Sequence, residues 1–214
     1  MNYKLAIFDL DGTLLNTYAG VRAGVQYIIK TFGLEPRTEE QLRSFVGPPV
    51  YRSLMNHYGM SEERAKEIQQ SFREYYVKEA LYEAEVYDGL IETLQELRSR
   101  GIRTSVATYK REDMAVNVLR HFGVDAYLDG IFGCDADNTR SKSDIIRMAI
   151  ADAGIPTEQS LMIGDTDNDA KGAMEIGVPF LAVSYGFGFK QPGELEQFPH
   201  VGCAASPKEI LQFF

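Results

Sequence analysis

Cysteine is nearly absent. Cys134 and Cys203 are the only two in 214 residues, they lie far apart, and neither sits at metal-ligand spacing. A disulfide framework and a zinc ribbon are therefore excluded, and a reducing compartment is expected. Tryptophan is missing, and glycine and proline supply only 19 and 8 residues, too few for a low-complexity or collagen-like chain. No apolar run approaches the roughly 18 residues that a membrane span needs. The opening Met1-Asn2-Tyr3-Lys4 leads directly into a short apolar stretch ending in carboxylates, unlike a signal peptide. The expectation is a cytoplasmic protein with no membrane partner. Basic residues are outnumbered, 22 against 31 acidic ones, giving a formal charge of −9 with no Lys/Arg stripe. Nucleic acid is a poor partner for such a surface. An anionic ligand would need a few local cations or a metal ion to overcome the field of the whole chain.

What is present is an ordinary globular balance, 44% hydrophobic and 25% charged, with length for one generous domain or one domain carrying a smaller insertion. Short apolar runs at 4–8, 103–107, 130–132, 160–163 and 180–183 read as buried strands. Between the later ones, apolar residues recur at helical steps, as in Leu90-Ile91-Leu94-Leu97 and Ile145-Ile146-Ala149-Ile150. Strands alternating with amphipathic helices imply parallel βαβ units and a sheet covered on both faces. From Asn16 to Glu83 the pattern is helical without a convincing strand. Helices are predicted at 21–32, 39–45, 50–58 and 61–82, the last with Ser61 as N-cap and Glu62 and Glu63 in its first turn. The block reads as an all-α insertion.

The most informative segment is Leu5-Ala6-Ile7-Phe8-Asp9-Leu10-Asp11-Gly12-Thr13. Asp9 and Asp11 emerge where a buried strand ends, the edge at which open α/β sheets bind ligands. Alone, an Asp-x-Asp-Gly could simply cap the next element or form an Asx turn. A second match argues otherwise: the apolar Ser160–Gly164 leads into Asp165-Thr166-Asp167-Asn168-Asp169, with Asp165 and Asp169 on one face of a helix start. No Arg or Lys lies beside either cluster in the chain. Grouped in space, these acids would require a hard, oxygen-preferring cation, and magnesium fits because it keeps waters that a phosphate can displace. Thr108 follows the 103–107 strand, where a helix N-cap is the plain alternative. Lys142 lies at the start of the 145–151 helix, where in a first turn it opposes the helix dipole and so suggests an anion or acid nearby.

Asp9-Leu10-Asp11-Gly12-Thr13, Thr108, Lys142, and Gly164-Asp165 with Asp169 resemble the four ordered motifs of the haloacid dehalogenase (HAD) superfamily. Phe45-Val46-Gly47-Pro48-Pro49 and Tyr185-Gly186-Phe187-Gly188 make the chain most similar to its phosphoglycolate phosphatases and the related pyrophosphatases and nucleotidases. The resemblance implies an α/β fold, a Rossmann-like parallel sheet core over 1–15 and 84–214 with a helical cap inserted at 16–83. It implies a Mg²⁺-dependent phosphatase acting on a small phosphorylated metabolite, as a monomer or homodimer. Asp9 would be the nucleophile that forms an aspartyl-phosphate, and Asp11 the general acid and base. The Asp9 carboxylate, the Asp11 carbonyl and Asp165 would hold the metal, with Asp169 in support. Thr108, Lys142 and backbone N–H groups near Asp11 and Tyr109 would bind the phosphoryl oxygens. Tyr109 replaces the Asn frequent in the family after that Thr, and Asn16 replaces a frequent Asp.

Arg43 or Arg52 in the cap would contact the anionic remainder of the substrate, unless both are merely solvated helix surface. The glycine-rich 185–189 stretch either lines the site or is a plain loop. Pyrophosphatase, 5′-nucleotidase and phosphosugar mutase are alternative activities on the same core. Outside enzymes, a phospho-acceptor signalling domain groups similar residues, although the helical block does not suit a minimal receiver.

Overall fold

Leu5–Phe8 forms β1, four wholly buried residues in an interior strand of the main sheet. The structure, a computed structural model, describes residues 3–191 and 193–214. It divides into two compact units, one containing the chain up to Leu15 together with Val86–Phe214, the other Asn16–Glu85. The chain leaves the first unit at the two-residue strand β2 (Leu15–Asn16) and returns at β3 (Glu85–Val86). No helix among the described residues is long and apolar enough to cross a membrane.

The larger unit is built on six parallel strands. To β1 it adds β4 (Arg103–Arg111), β5 (Gly130–Cys134), β6 (Ser160–Gly164), β7 (Phe180–Val183) and β8 (Gly202–Ala204), in the order β5-β4-β1-β6-β7-β8. Phe8, the last residue of β1, pairs with Val106 of β4 on one side and Ile163 of β6 on the other, and β4 runs on beyond that level. The chain winds outward in both directions from β1, which places the switch in winding at the carboxyl end of β1. Leu5 and Ile7 face a core shared with Ile145, Ile146 and Ala149 of α7 (Lys142–Ala153), Ala170 and Ala173 of α8 (Asp167–Ile176), and Phe180. Burying each such large side chain contributes about 1.5–3 kcal/mol. Two capping boxes fix where these helices begin, Ser141 with Asp144 for α7 and Thr166 with Asp169 for α8.

The smaller unit holds α1 (Tyr18–Phe32), α2 (Glu39–Arg43), α3 (Val50–Tyr58) and α4 (Glu62–Tyr75). Val25, Ile28, Leu54 and Ile68 are its fully buried centre. Gly24 lets α1 approach α4 closely, since a Cβ there would lie 2.5 Å from the Phe72 ring.

Three elements differ from the sequence reading. The predicted 61–82 helix stops as an α-helix at Tyr75 and widens into a π turn over Tyr76–Ala80, where Phe72 and Tyr76 stack at 5.3 Å. β8, only Gly-Cys-Ala, is too short to stand out in the sequence; it forms because β7 offers an edge to pair with. β4 runs past Ala107 to Arg111, its register with β5 shifting between those two residues. Thr108, Tyr109 and Lys110 occupy that irregular stretch, and such irregularities re-aim side chains beside active sites.

Candidate active site

The Asp9 N–H donates to the Ile163 carbonyl at 2.8 Å, extending the β1 ladder one residue and carrying the Asp9 carboxylate to the strand edge. Gly12, at φ +90°, then turns the chain back so that its N–H reaches the Leu15 carbonyl at 2.8 Å. A Cβ at Gly12 would stand 2.2 Å from Asp165 Oδ2, so only glycine fits between the two acid clusters. Thr13 Oγ1 donates to Asp165 Oδ1 at 3.4 Å.

Asp165 follows β6 and is fully buried. Its Oδ2 accepts the N–H groups of Phe187 at 2.6 Å and Gly188 at 3.4 Å. The glycine-rich stretch after β7 is therefore part of the site. Side chains at Gly186 or Gly188 would collide with Asp165, a Cβ at Gly186 meeting its Cβ at 2.4 Å. Asp169 Oδ2 accepts the Thr166 N–H at 3.0 Å and hydroxyl at 2.8 Å, which leaves Oδ1 aimed at Lys142.

Lys142 lies in the first turn of α7, and its Nζ is 2.6 Å from Asp9 Oδ1 and 2.7 Å from Asp169 Oδ1. These two acids offset the unfavourable helix dipole. The Tyr109 hydroxyl accepts the Lys142 backbone N–H at 3.1 Å, and the ammonium stands 5.7 Å from the Tyr109 ring centroid. Thr108 is buried at the same edge, its Oγ1 accepting the Lys110 N–H at 3.1 Å.

Sequence reasoning missed Lys110. Its Nζ is 2.8 Å from Asp11 Oδ1, both side chains more than nine-tenths buried. Two lysines from other segments of the chain, Lys110 and Lys142, thus meet these acids in space. The available signal was position: Lys110 follows Thr108 by two residues on a strand adjacent to β1.

Burial pushes the Asp9 carboxyl up to about 7; Lys142 opposes this, while Asp169 and Asp11 add to it. Burial likewise raises Asp165 well above the ordinary carboxylate range, helped by Asp169 and Asp9 and resisted by the two N–H bonds. For Lys142, burial disfavours the ammonium, but Asp169 and Asp9 outweigh it and its pKa rises.

In the smaller unit, the Arg43 guanidinium at the end of α2 lies over the Tyr18 ring at 4.4 Å. Arg52 in α3 lies 5.8 Å from the Tyr51 ring centroid and donates from Nε to the Tyr51 hydroxyl at 3.1 Å.

This ordered set of residues lies within a match to the haloacid dehalogenase-like hydrolase family spanning residues 6–183. The chain belongs to that family. The 5′-nucleotidase of Pseudomonas aeruginosa is 36% identical over 215 residues, 99% of this chain and 97% of its own. The tyrosine-protein kinase PtkA of Mycobacterium tuberculosis is 32% identical over 86% of the chain, which spans 63% of that relative's length. A phosphoglycolate phosphatase of Agrobacterium fabrum is 34% identical over 86% of this chain and 81% of its own. The crystal structure of a predicted phosphatase from Clostridium acetobutylicum superposes with a TM-score of 0.92 at 33% identity, covering 99% of this chain and 100% of the other.

HAD hydrolases generally use a divalent metal, and the residues here fit one. Asp9, Asp165 and Asp169 are buried and each offers a carboxylate oxygen, all within 4.8 Å of one another. With every group ionised, four buried acids would face two buried ammonium groups, an excess of two negative charges in a desolvated site. An all-oxygen donor set of this charge suits a hard divalent cation.

Proposed function

We propose that the protein is a magnesium-dependent phosphatase that hydrolyses a small phosphomonoester through an aspartyl-phosphate on Asp9. The observation that carries this reading is the buried Asp9 carboxylate, 2.6 Å from Lys142 and grouped with Asp165 and Asp169. Bound magnesium would be held by Asp9, Asp165 and Asp169 and would offset the repulsion between a phosphate dianion and the attacking carboxylate. Asp9 attacks phosphorus in line, and Asp11 protonates the departing alkoxide. Asp11 then accepts a proton from the water that hydrolyses the acyl phosphate. Lys142 and Thr108 hold the phosphoryl oxygens, Lys142 also fixing the Asp9 oxygen that does not attack. Tyr109 acts one step back, its hydroxyl holding the backbone from which Lys142 projects.

Relatives named phosphoglycolate phosphatase and 5′-nucleotidase support a small, soluble phosphate ester as substrate. Arg43 and Arg52 are the cap residues assigned to the remainder of that ester, and the reducing cytoplasm is the assigned location. The test is turnover of 4-nitrophenyl phosphate with magnesium chloride, followed by phosphoglycolate, pyrophosphate, AMP and glucose 1-phosphate. EDTA should abolish hydrolysis and magnesium restore it. Asp9→Asn should remove turnover while retaining the parent circular dichroism spectrum; undiminished turnover in that variant overturns the reading.

A further inference from the structure

Lys110 belongs to none of the motifs that identify the family in this chain, yet it supplies one of the two buried ammonium groups of the site. The route by which it arrives is visible in β4. Pairing with β5 holds through Ala107, shifts, and resumes at Arg111 opposite Cys134. The following backbone crosses Gly133 so closely that a Cβ there would lie 2.6 Å from both the Lys110 carbonyl oxygen and the Glu112 Cα. Glu112 Oε2 also accepts the Gly133 N–H at 3.1 Å. The segment carrying Lys110 is thus braced on β5, and its Nζ stands 2.8 Å from Asp11 Oδ1. Lys142 is already shared between Asp9 and Asp169. The two lysines divide the site: Lys142 serves the nucleophile and Asp169, and Lys110 is directed at Asp11.

Removing both charges of such a pair from water costs several kcal/mol per ion before their attraction is counted. A short Asp side chain just before a glycine turn keeps two torsions, and a carboxylate exchanging a proton must hold its reach to the leaving oxygen within a fraction of an ångström. We propose that Lys110 is the positioning residue for Asp11: it anchors Oδ1 and so sets the carboxylate plane from which Oδ2 exchanges the proton. This rests on the assignment of Asp11 as proton donor made above. In the first half-reaction the bond from phosphorus to the leaving oxygen breaks as the bond to the Asp9 oxygen forms. The proton on Asp11 passes to the leaving oxygen. Lys110 touches neither phosphorus nor leaving group and keeps its own protons throughout.

The test compares phenyl phosphate with 4-nitrophenyl phosphate, which are similar in shape but differ in how much the departing oxygen needs a proton. Turnover at saturating magnesium chloride is measured for the parent, Lys110→Met, Asp11→Asn and the double variant. Lys110→Met should lower kcat on phenyl phosphate by roughly 100-fold, the scale of a misplaced catalytic group, with KM little changed. On 4-nitrophenyl phosphate the loss should be at least about tenfold smaller, because general acid catalysis matters less there. In the Asp11→Asn background, adding Lys110→Met should change kcat by less than about twofold, since residues acting as a unit are non-additive. Should the methionine variant fail to fold, Lys110→Gln, which keeps a donor on a shorter stem, carries the same comparison. Equal losses on the two esters, or full additivity in the double variant, overturn the proposal. Asp11→Asn losing equally on both esters instead refutes the role given to Asp11 itself.

Discussion

Replacing Lys142 by methionine keeps most of the side-chain stem and deletes the ammonium that lies between Asp9 and Asp169. The three side chains are 3%, 6% and 1% exposed, so water cannot substitute for the lost charge. Breaking a buried pair by removing one partner costs about 3–5 kcal/mol. The penalty depends on pH in a way that the site dictates. The Asp9 carboxyl, ordinarily near 3.8, is already pushed up to about 7 by burial, and without Lys142 it rises further. A carboxyl that holds its proton more tightly in the folded state contributes stability below its unfolded pKa. That contribution is lost as pH rises through the folded value. The variant should therefore be less destabilised at pH 5, where the Asp9 carboxyl holds its proton, than at pH 8. For a chain of this size the deficit corresponds to roughly 10 °C in Tm. Thermal unfolding followed by circular dichroism in EDTA at both pH values measures it. A Tm equal to the parent's at pH 8, or an equal drop at both pH values, refutes the reasoning.

Two further perturbations probe the geometry around the acids. Gly12→Ala forces a Cβ into a φ of +90° and to within 2.2 Å of Asp165 Oδ2, so backbone strain alone should cost about 1–3 kcal/mol. Turnover should fall at least about 100-fold as Asp165 is displaced; a fully active alanine variant, assayed with magnesium, would show that the turn is not constrained as described. Tyr109→Phe keeps the ring beneath Lys142 but removes the acceptor of its backbone N–H, 3.1 Å away. That should lower stability by about 1–3 kcal/mol. Denaturant unfolding gives the value, and an unchanged midpoint contradicts the bond.

Some of this protein was settled by local pattern and some only by packing. The apolar runs around Ile7, Val106 and Ile163 could be read as strands because four or five consecutive buried residues have few other homes, and parallel order followed from the helices between them. Asp9, Asp11, Asp165 and Asp169 stood out because acids directly after such runs conflict with burial unless something compensates them. Lys142 was legible too, as a cation at the wrong end of a helix. What compensates Asp11 was not legible. Lys110 reaches it only because β4 loses register with β5 beyond Ala107, and no local periodicity reports a slip between two strands. The 185–189 stretch was ambiguous for the same reason. Glycines mark conformational freedom, but only the fold shows that the Phe187 and Gly188 amides converge on Asp165. The break at Tyr75 in the last helix of the smaller unit likewise lies in a sequence that keeps helical spacing throughout. Chain-local chemistry thus determined which residues carry charge to the sheet edge. Which opposite charges meet them is decided by strand register and close backbone approach between distant segments, Lys110 and Asp11 being 99 positions apart and Lys142 and Asp9 133, because electrostatic partners in a dry interior are chosen by distance rather than by order along the chain.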